Sequence, residues 1–389
     1  MDNLFQLGMI VVFVPVKHEY QLVSVKIIVV GEMGENGKSK ISGLKRLLSK
    51  YRWIGVMLIL LFSSGNDLKG QTADSLVSFI KDFGNFLLYR NHDTNYIRSR
   101  GDEVSVRLIA VGKFNYFRIR DRINDTRFRY RPVRDLSVGA GLSYKWFSLD
   151  LTFSLGLRKN ADLENTRFFD FQGKIFSSKQ YIAGTLQYYK GYKLQGLSGT
   201  PVVLREGSER REDIRTINIG LQYFYAFNYT RFSLKAPFDL NEIQRRSAGS
   251  VIAGAGFSIY VMDADTSVVP PEVAGYFDPL THIVDMNILS LTLNVGYMYS
   301  FVYKERLFLT LGLIPGLSIT GGDYLTDERR LTGPHLNLKV STMNALGYNS
   351  NKFYTGIHFI VDGQFTRLEK KRSAEIGHGK AGLFAGYRF

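Results

Sequence analysis

The stretch Ala381-Gly382-Leu383-Phe384-Ala385-Gly386-Tyr387-Arg388-Phe389 decides how the rest of the chain reads. Ala381, Leu383, Ala385, Tyr387 and Phe389 share one parity; Gly382, Phe384, Gly386 and Arg388 share the other. A strand with this period of two shows one apolar face ending in two aromatics, which is how bacterial outer-membrane β-barrels usually end. Tyr387 and Phe389 sit at the aromatic positions of a barrel-assembly signal, so the barrel-assembly machinery is an expected partner. Phe384 departs from that signal, which usually has Gly there.

The same rhythm recurs upstream. Phe147, Leu149, Leu151, Phe153, Leu155 and Leu157 alternate with Ser148, Asp150, Thr152, Ser154 and Gly156. Ile217 to Phe227 and Leu289 to Tyr299 repeat the pattern. A soluble sandwich also alternates, but its outer face would be rich in Lys, Glu or Thr; here the polar face is mostly Ser, Thr, Asn and Gly. About twelve strands follow, near 103–119, 134–146, 147–158, 167–178, 179–194, 213–228, 246–263, 284–303, 306–323, 332–349, 352–369 and 374–389. Short connections at Trp146-Phe147, Ser177–Lys179, Lys304-Glu305 and Ser350-Asn351 alternate with longer polar ones at 120–133, 159–166, 195–212, 264–283 and 324–331. Short periplasmic turns and long external loops are the expected assignment. The connection 229–245 breaks the rule by being long on the short side; it is expected to fold back as a short helix or to enter the lumen.

Composition fits a membrane barrel: 45% of residues are hydrophobic, 14% are aromatic, and no apolar run reaches the eighteen or so residues of a transmembrane helix. The apolar run Trp53 to Phe62 instead follows Lys38, Lys40, Lys45, Arg46, Lys50 and Arg52, the order of a secretory signal peptide. The expected organisation is therefore a start-site artefact over 1–32, with Met33 as the initiator, and a signal peptide over 33–71. A periplasmic helix and linker follow over 72–102, and the barrel occupies 103–389. In the helix, Leu76, Phe79, Ile80, Phe83, Phe86 and Leu87 recur at helical spacing. The formal charge is +15, of which residues 1–70 carry +4, so the basic excess belongs to the barrel. An exported chain is not expected to meet nucleic acid; outer-membrane lipid and lipopolysaccharide are the natural anionic partners. With no Cys, neither disulfides nor a lipoprotein anchor can form.

The segments Asp93–Ile97, Tyr130-Arg131-Pro132, Gly141–Trp146 and Gln244–Ser250 resemble an uncharacterised outer-membrane β-barrel family of Bacteroidota, a domain of unknown function. The resemblance covers about Asp74 to Phe389. It implies an outer-membrane location in a Gram-negative bacterium and adds no mechanism.

The densest charge cluster is Arg118, Arg120, Arg122, Arg127, Arg129, Arg131 and Arg134. Val104, Val106, Leu108, Ala110, Phe114 and Tyr116 set the lipid-facing parity of the first strand. Arg118, Arg120 and Arg122 continue it at headgroup height, where guanidinium forks suit lipopolysaccharide phosphate. A solvated loop that binds nothing specific fits equally well. Arg127, Arg129 and Arg131 are assigned the opposite parity, lining the lumen mouth and favouring anions. The six His residues are scattered and no Gly-x-Ser-x-Gly elbow occurs, so no catalytic residue is assigned; His358 and His378 read as lumen hydrogen-bonding groups. Asp263, Asp265, Asp278 and Asp285 match no calcium loop, and no metal or cofactor is expected. The expected protein is an all-β, up-and-down antiparallel transmembrane barrel with a short N-terminal periplasmic helix. It would act as a narrow passive pore or solute channel; alternatives are a non-conducting structural or lipopolysaccharide-interacting barrel, and then a lipid-processing enzyme.

Overall fold

The computed structural model describes residues 7–16, 19–29, 92–100, 102–133, 136–144, 147–155, 166–205, 207–369 and 371–389. The expected signal peptide and the helix at Asp74–Leu88 lie outside them. Two units, Met1–Phe86 and Leu87–Phe389, are distinguished. In the first, β1 (Leu7–Val16) and β2 (Glu19–Val29) form an antiparallel hairpin with a bulge between Val12 and Phe13. Val and Ile dominate both strands, as suits a pleated backbone.

The second unit is a closed antiparallel barrel. Its strands are β3 (Ile97–Ser99), β4 (Ser105–Asp121), β5 (Thr126–Pro132), β6 (Ser137–Tyr144), β7 (Phe147–Ser154), β8 (Arg167–Phe176), β9 (Gln180–Ser198), β10 (Arg210–Ala226) and β11 (Glu242–Gln244). They continue with β12 (Ala248–Asp263), β13 (Ile283–Tyr303), β14 (Leu307–Thr326), β15 (Arg330–Thr332), β16 (His335–Asn349), β17 (Phe353–Glu369) and β18 (Arg372–Arg388). β18 pairs with β4 over Arg372↔Asp121 to Arg388↔Ser105 and closes the ring.

The described ring has ten strands, β4-β5-β9-β10-β12-β13-β14-β16-β17-β18, where the sequence suggests about twelve. The difference comes from 120–133, expected as an external loop, which contains β5. β5 pairs with Phe117–Asp121 of β4 on one side and with Tyr192–Ser198 of β9 on the other, so it bridges directly over β6, β7 and β8. Beneath it, β6 pairs with Ser105–Val111 of β4, β7 pairs with β6, and β8 pairs with β9. Among the described residues no register joins β7 to β8.

Alternation sets the wall. Leu291, Leu293, Val295 and Tyr297 are exposed on the outer face, while Ser290, Thr292 and Asn294 between them are buried inside. Inner hydroxyls pair across strands, Thr292 with Ser318 at 2.6 Å and Ser300 with Thr310 at 2.7 Å. A continuous outer band of Leu, Phe and Val is stable only against hydrocarbon. Lys304 and Glu305 both have positive φ (50° and 56°), giving the two-residue hairpin whose twist matches its strands.

Both ends of the lumen are filled. At the short-turn end, 229–245 enters the lumen, and Phe232, Leu234, Phe238 and Leu240 are buried among Phe176, Tyr181, Phe224, Met298, Tyr354 and Phe384. Phe238 stacks on Phe176 with ring centroids 5.5 Å apart. The segment ends in β11, which pairs with β3. At the long-loop end, residues 264–282 fold inward through 3-10 turns at Pro271–Tyr276 and Pro279–Thr281. Val268, Val269, Val273 and Phe277 are buried there against Phe117, Phe128, Tyr130, Tyr260 and Met262. Each such side chain stabilises its plug by about 1.5–3 kcal/mol.

Candidate functional site

Between the plugs lies a small polar chamber of about 80 Å³, walled by β8, β9, β10, β12, β16, β17 and β18. Its charged groups come from inward positions of single strands. Lys339 Nζ lies 2.7 Å from Gln222 Oε1 and 3.8 Å from Asp362 Oδ1, and Ser341 donates to Asp362 at 2.5 Å. His378 Nε2 is 3.9 Å from the same carboxylate. Asp170 accepts from Tyr189 and from Gln187 (3.1 Å) and pairs with Lys113 at 3.5 Å. Lys380 also lines the chamber, and among the described residues it has no ion-pair or hydrogen-bond partner.

A chain of charges leads from this chamber to the short-turn plug. Lys174 (β8) is 3.8 Å from Asp150 (β7). Asp150 takes two bonds from Arg107 (β4), at 2.9 and 2.5 Å; Arg107 also donates to Ser143 at 2.6 Å. Arg107 lies 3.6 Å from Asp239, which pairs with Lys235 at 3.5 Å, both on the plug. The long-loop plug is held separately: Arg372 bonds Asp278 at 2.6 Å, and the Asp278 amide donates to Asp121 at 2.9 Å. Burial alone raises the Asp278 carboxyl. The bonds from Arg372 and the Leu280 amide, with the charges of Arg372 and His282, outweigh it and hold the group below its ordinary 3.8.

The arginine cluster is partly rearranged from its sequence reading. Arg118 and Arg120 take the outward parity of β4, and Arg122 lies in the exposed turn. Arg127, Arg129 and Arg131 do not line the mouth. Thr126, Phe128 and Tyr130 take the buried parity of β5, and the register pairs Arg118 with Arg129 and Arg120 with Arg127 on the outer face. The parity inverts because this hairpin projects beyond the apolar band: water is outside, the apolar plug is inside, and aromatics turn inward. Arg118 pairs with Glu375 at 2.5 Å, and the guanidinium carbons of Arg118 and Arg131 each lie 5.8 Å from the Tyr116 ring.

Tyr387 and Phe389 are exposed on the outer face of β18, with rings 5.1 Å apart, while Phe384 is buried inside against His358 and Tyr354. The four Asp around the external loop turn to three partners: Asp263 and Asp265 share Arg215, Asp278 bonds Arg372 and Asp285 bonds Asn287. Among the described residues no three His or carboxylate groups converge as for a metal ion. Sequence reading missed the chamber lysines. For Lys339 the signal is an isolated charge on the inward parity of a strand otherwise free of Lys, Arg, Asp and Glu.

A closed barrel with an apolar exterior and a hydrogen-bonded polar interior is an outer-membrane-type β-barrel. Residues 91–389 match one family model, and the chain belongs to that family, the domain of unknown function DUF4421. No curated protein matches the chain. Among solved structures, the outer membrane protease OmpT from Escherichia coli is similar over 75% of this chain and 98% of its own, at 8% identity and a TM-score of 0.32. OmpT of Vibrio cholerae shares 9% identity over 74% of this chain and 98% of its own, with a TM-score of 0.24. The Pseudomonas putida toluene transporter TodX shares 9% identity over 78% of this chain and 92% of its own, with a TM-score of 0.20. Likenesses this weak bear on neither activity nor ligand.

Proposed function

We propose that this barrel is a gated narrow pore for small anionic solutes in the outer membrane of a Gram-negative bacterium, reached by signal-peptide export and assembled through Tyr387 and Phe389. The observation that carries the reading is the lysine-bearing chamber between two apolar plugs: a compartment whose two ends are closed by folded-in chain segments instead of by the wall. The short-turn end faces the periplasm and the 264–282 plug faces outward, following the usual order of turns and loops. The chamber's titratable groups serve binding, not catalysis.

Planar-bilayer recording tests this. The protein should be quiet at rest. Phe238→Ala with Phe277→Ala should raise the open probability and give anion-selective current, and Lys339→Gln with Lys380→Gln should reduce that selectivity. Silence in all variants would overturn the pore reading.

A second reading, a lipopolysaccharide-interacting barrel, has its own support in the outer arginines. Arg118, Arg120 and Arg122, now joined by Arg127, Arg129 and Arg131, present guanidinium groups of one sign on one outward surface. Like charges directly opposed across strands destabilise a hairpin unless an anion sits between them. Replacing Arg118, Arg120 and Arg122 with Gln should lower the phosphate of co-purified lipopolysaccharide. Unchanged phosphate would leave only a charged loop.

A further inference from the structure

Two routes lead from the chamber wall to the short-turn plug, and both begin at Lys174. The ionic route runs from Lys174 to Asp150 at 3.8 Å, from Asp150 to Arg107 through two hydrogen bonds, and from Arg107 to Asp239 of the plug at 3.6 Å. The aromatic route places Lys174 Nζ 5.6 Å from the centre of the Phe176 ring, which stacks on Phe238 of the plug at 5.5 Å and 12°. Lys174 lines the chamber together with Lys339, Lys380 and Asp362, and the charge of Asp150 acts on Lys380 as well. A guest anion beside these lysines therefore competes with Asp150.

That competition has a direction. Arg107 divides its guanidinium between Asp150, at 2.5 and 2.9 Å, and Asp239, at 3.6 Å. While Lys174 stands beside Asp150 it offsets part of that carboxylate's charge, which leaves Arg107 partly available to the plug. An anion that draws Lys174 into the chamber removes the offset. Asp150 then pulls harder on Arg107, and the longer contact with Asp239 is the one that yields. Asp239 keeps Lys235 at 3.5 Å, but that pair lies within the plug and does not tie it to the wall. The same movement lifts the ammonium from the Phe176 ring, beneath the Phe238 stack.

We propose that a small anion bound beside Lys174 loosens the short-turn plug by turning Arg107 from Asp239 to Asp150, so that the solute releases its own way toward the periplasmic end. The inference rests on the anion-binding reading of the chamber and adds its regulation. Coupling between two sites is reciprocal. With Asp239 neutralised, Arg107 turns to Asp150, Lys174 is released, and the chamber binds the anion more tightly.

The test uses the full-length protein in phosphatidylcholine nanodiscs, with acetate as the anion and acetamide, of similar shape and no charge, as the comparison. Ligand-observed NMR titration reads binding. Hydrogen exchange at the Leu234, Phe238 and Asp239 amides, each hydrogen-bonded in the folded plug, reads the plug, and residues 268–277 of the other plug are the internal control. Saturating acetate should lower protection at the three amides about fivefold, the low end of typical coupling, because Ser143 at 3.5 Å from Asp239 and the packed aromatics still hold the segment. Acetamide should change nothing, and 268–277 should stay protected. Lys174→Gln should show the lowered protection without acetate and no further fall with it, and Asp239→Asn should bind acetate about fivefold more tightly. Heat-modifiable migration on gels verifies that each variant is folded. Acetate that binds the wild-type protein without changing the three amides, or that loosens both plugs equally, would overturn the coupling and leave the anion site standing. Absence of acetate binding would overturn the coupling and the anion-site reading together.

Discussion

Replacing Arg107 with Leu removes the middle of the charge chain that joins the chamber to the short-turn plug. The guanidinium is only 4% exposed; it bonds Asp150 twice and Ser143 once, and lies 3.6 Å from Asp239, itself 3% exposed. Removing one partner of a buried pair typically costs about 3–5 kcal/mol, because the other charge stays buried. Here Lys235 remains 3.5 Å from Asp239, and Lys174 remains 3.8 Å from Asp150. The loss should therefore fall near the lower end, about 3 kcal/mol, or roughly a hundredfold in the unfolding equilibrium. Adding Asp239→Leu to Arg107→Leu should cost less than the sum of the single changes, by about 1–2 kcal/mol. Urea unfolding in phospholipid vesicles, followed by tyrosine fluorescence, measures all three variants. A single-variant loss below about 1 kcal/mol, or strict additivity of the pair, would refute a coupled buried network.

Leu293 is 73% exposed on the lipid face, and Lys there should cost about 2–4 kcal/mol near the midplane, seen as loss of heat-modifiable folded protein; Leu293→Val should fold normally. The Asp278 carboxyl is lowered in the fold, so its stabilising contribution is fully present above the unfolded value near 3.8 and is lost as pH falls through the lower folded value. Hydrogen-exchange protection of residues 268–277, corrected for intrinsic rates, should hold from neutral pH to about pH 5 and fall below about pH 4. Asp278→Asn should remove that pH step and leave the plug less protected at neutral pH. Phe277→Ala should cost about 3–4 kcal/mol of plug stability, since it empties the site packed on Phe128 at a centroid distance of 5.4 Å; unchanged exchange in 268–277 would count against a packed plug.

The strand positions were legible because hydrocarbon outside and hydrogen-bonded polar groups inside impose a period of two, which survives without any tertiary knowledge. Leu289 to Tyr299 shows this plainly. Ring size was not legible. Arg127, Arg129 and Arg131 alternate with Phe128 and Tyr130 as a strand should, yet so many charges read as a loop. The rule that apolar faces outward also fails where a hairpin projects past the membrane over a buried plug. The chamber was not legible: Lys174, Lys339 and Lys380, which the sequence reading passed over, line it together only through registers spanning the ring, which no local pattern encodes.

Arg388 gives the C-terminal strand a second duty. Its side chain is 1% exposed and donates to Ser350 O and Asn349 at 2.7 Å and to Leu240 O, on the plug, at 2.5 Å. The acceptor on the plug exists only once 229–245 has been threaded inside, and the strand that carries Arg388 is the one that seals the ring against β4. A barrel that closes around an empty short-turn mouth would bury a guanidinium missing its inner acceptor, at a cost of about 1–3 kcal/mol or more. Ring closure and filling of the interior are thus coupled through one side chain: the circle reaches its lowest energy only with 229–245 inside.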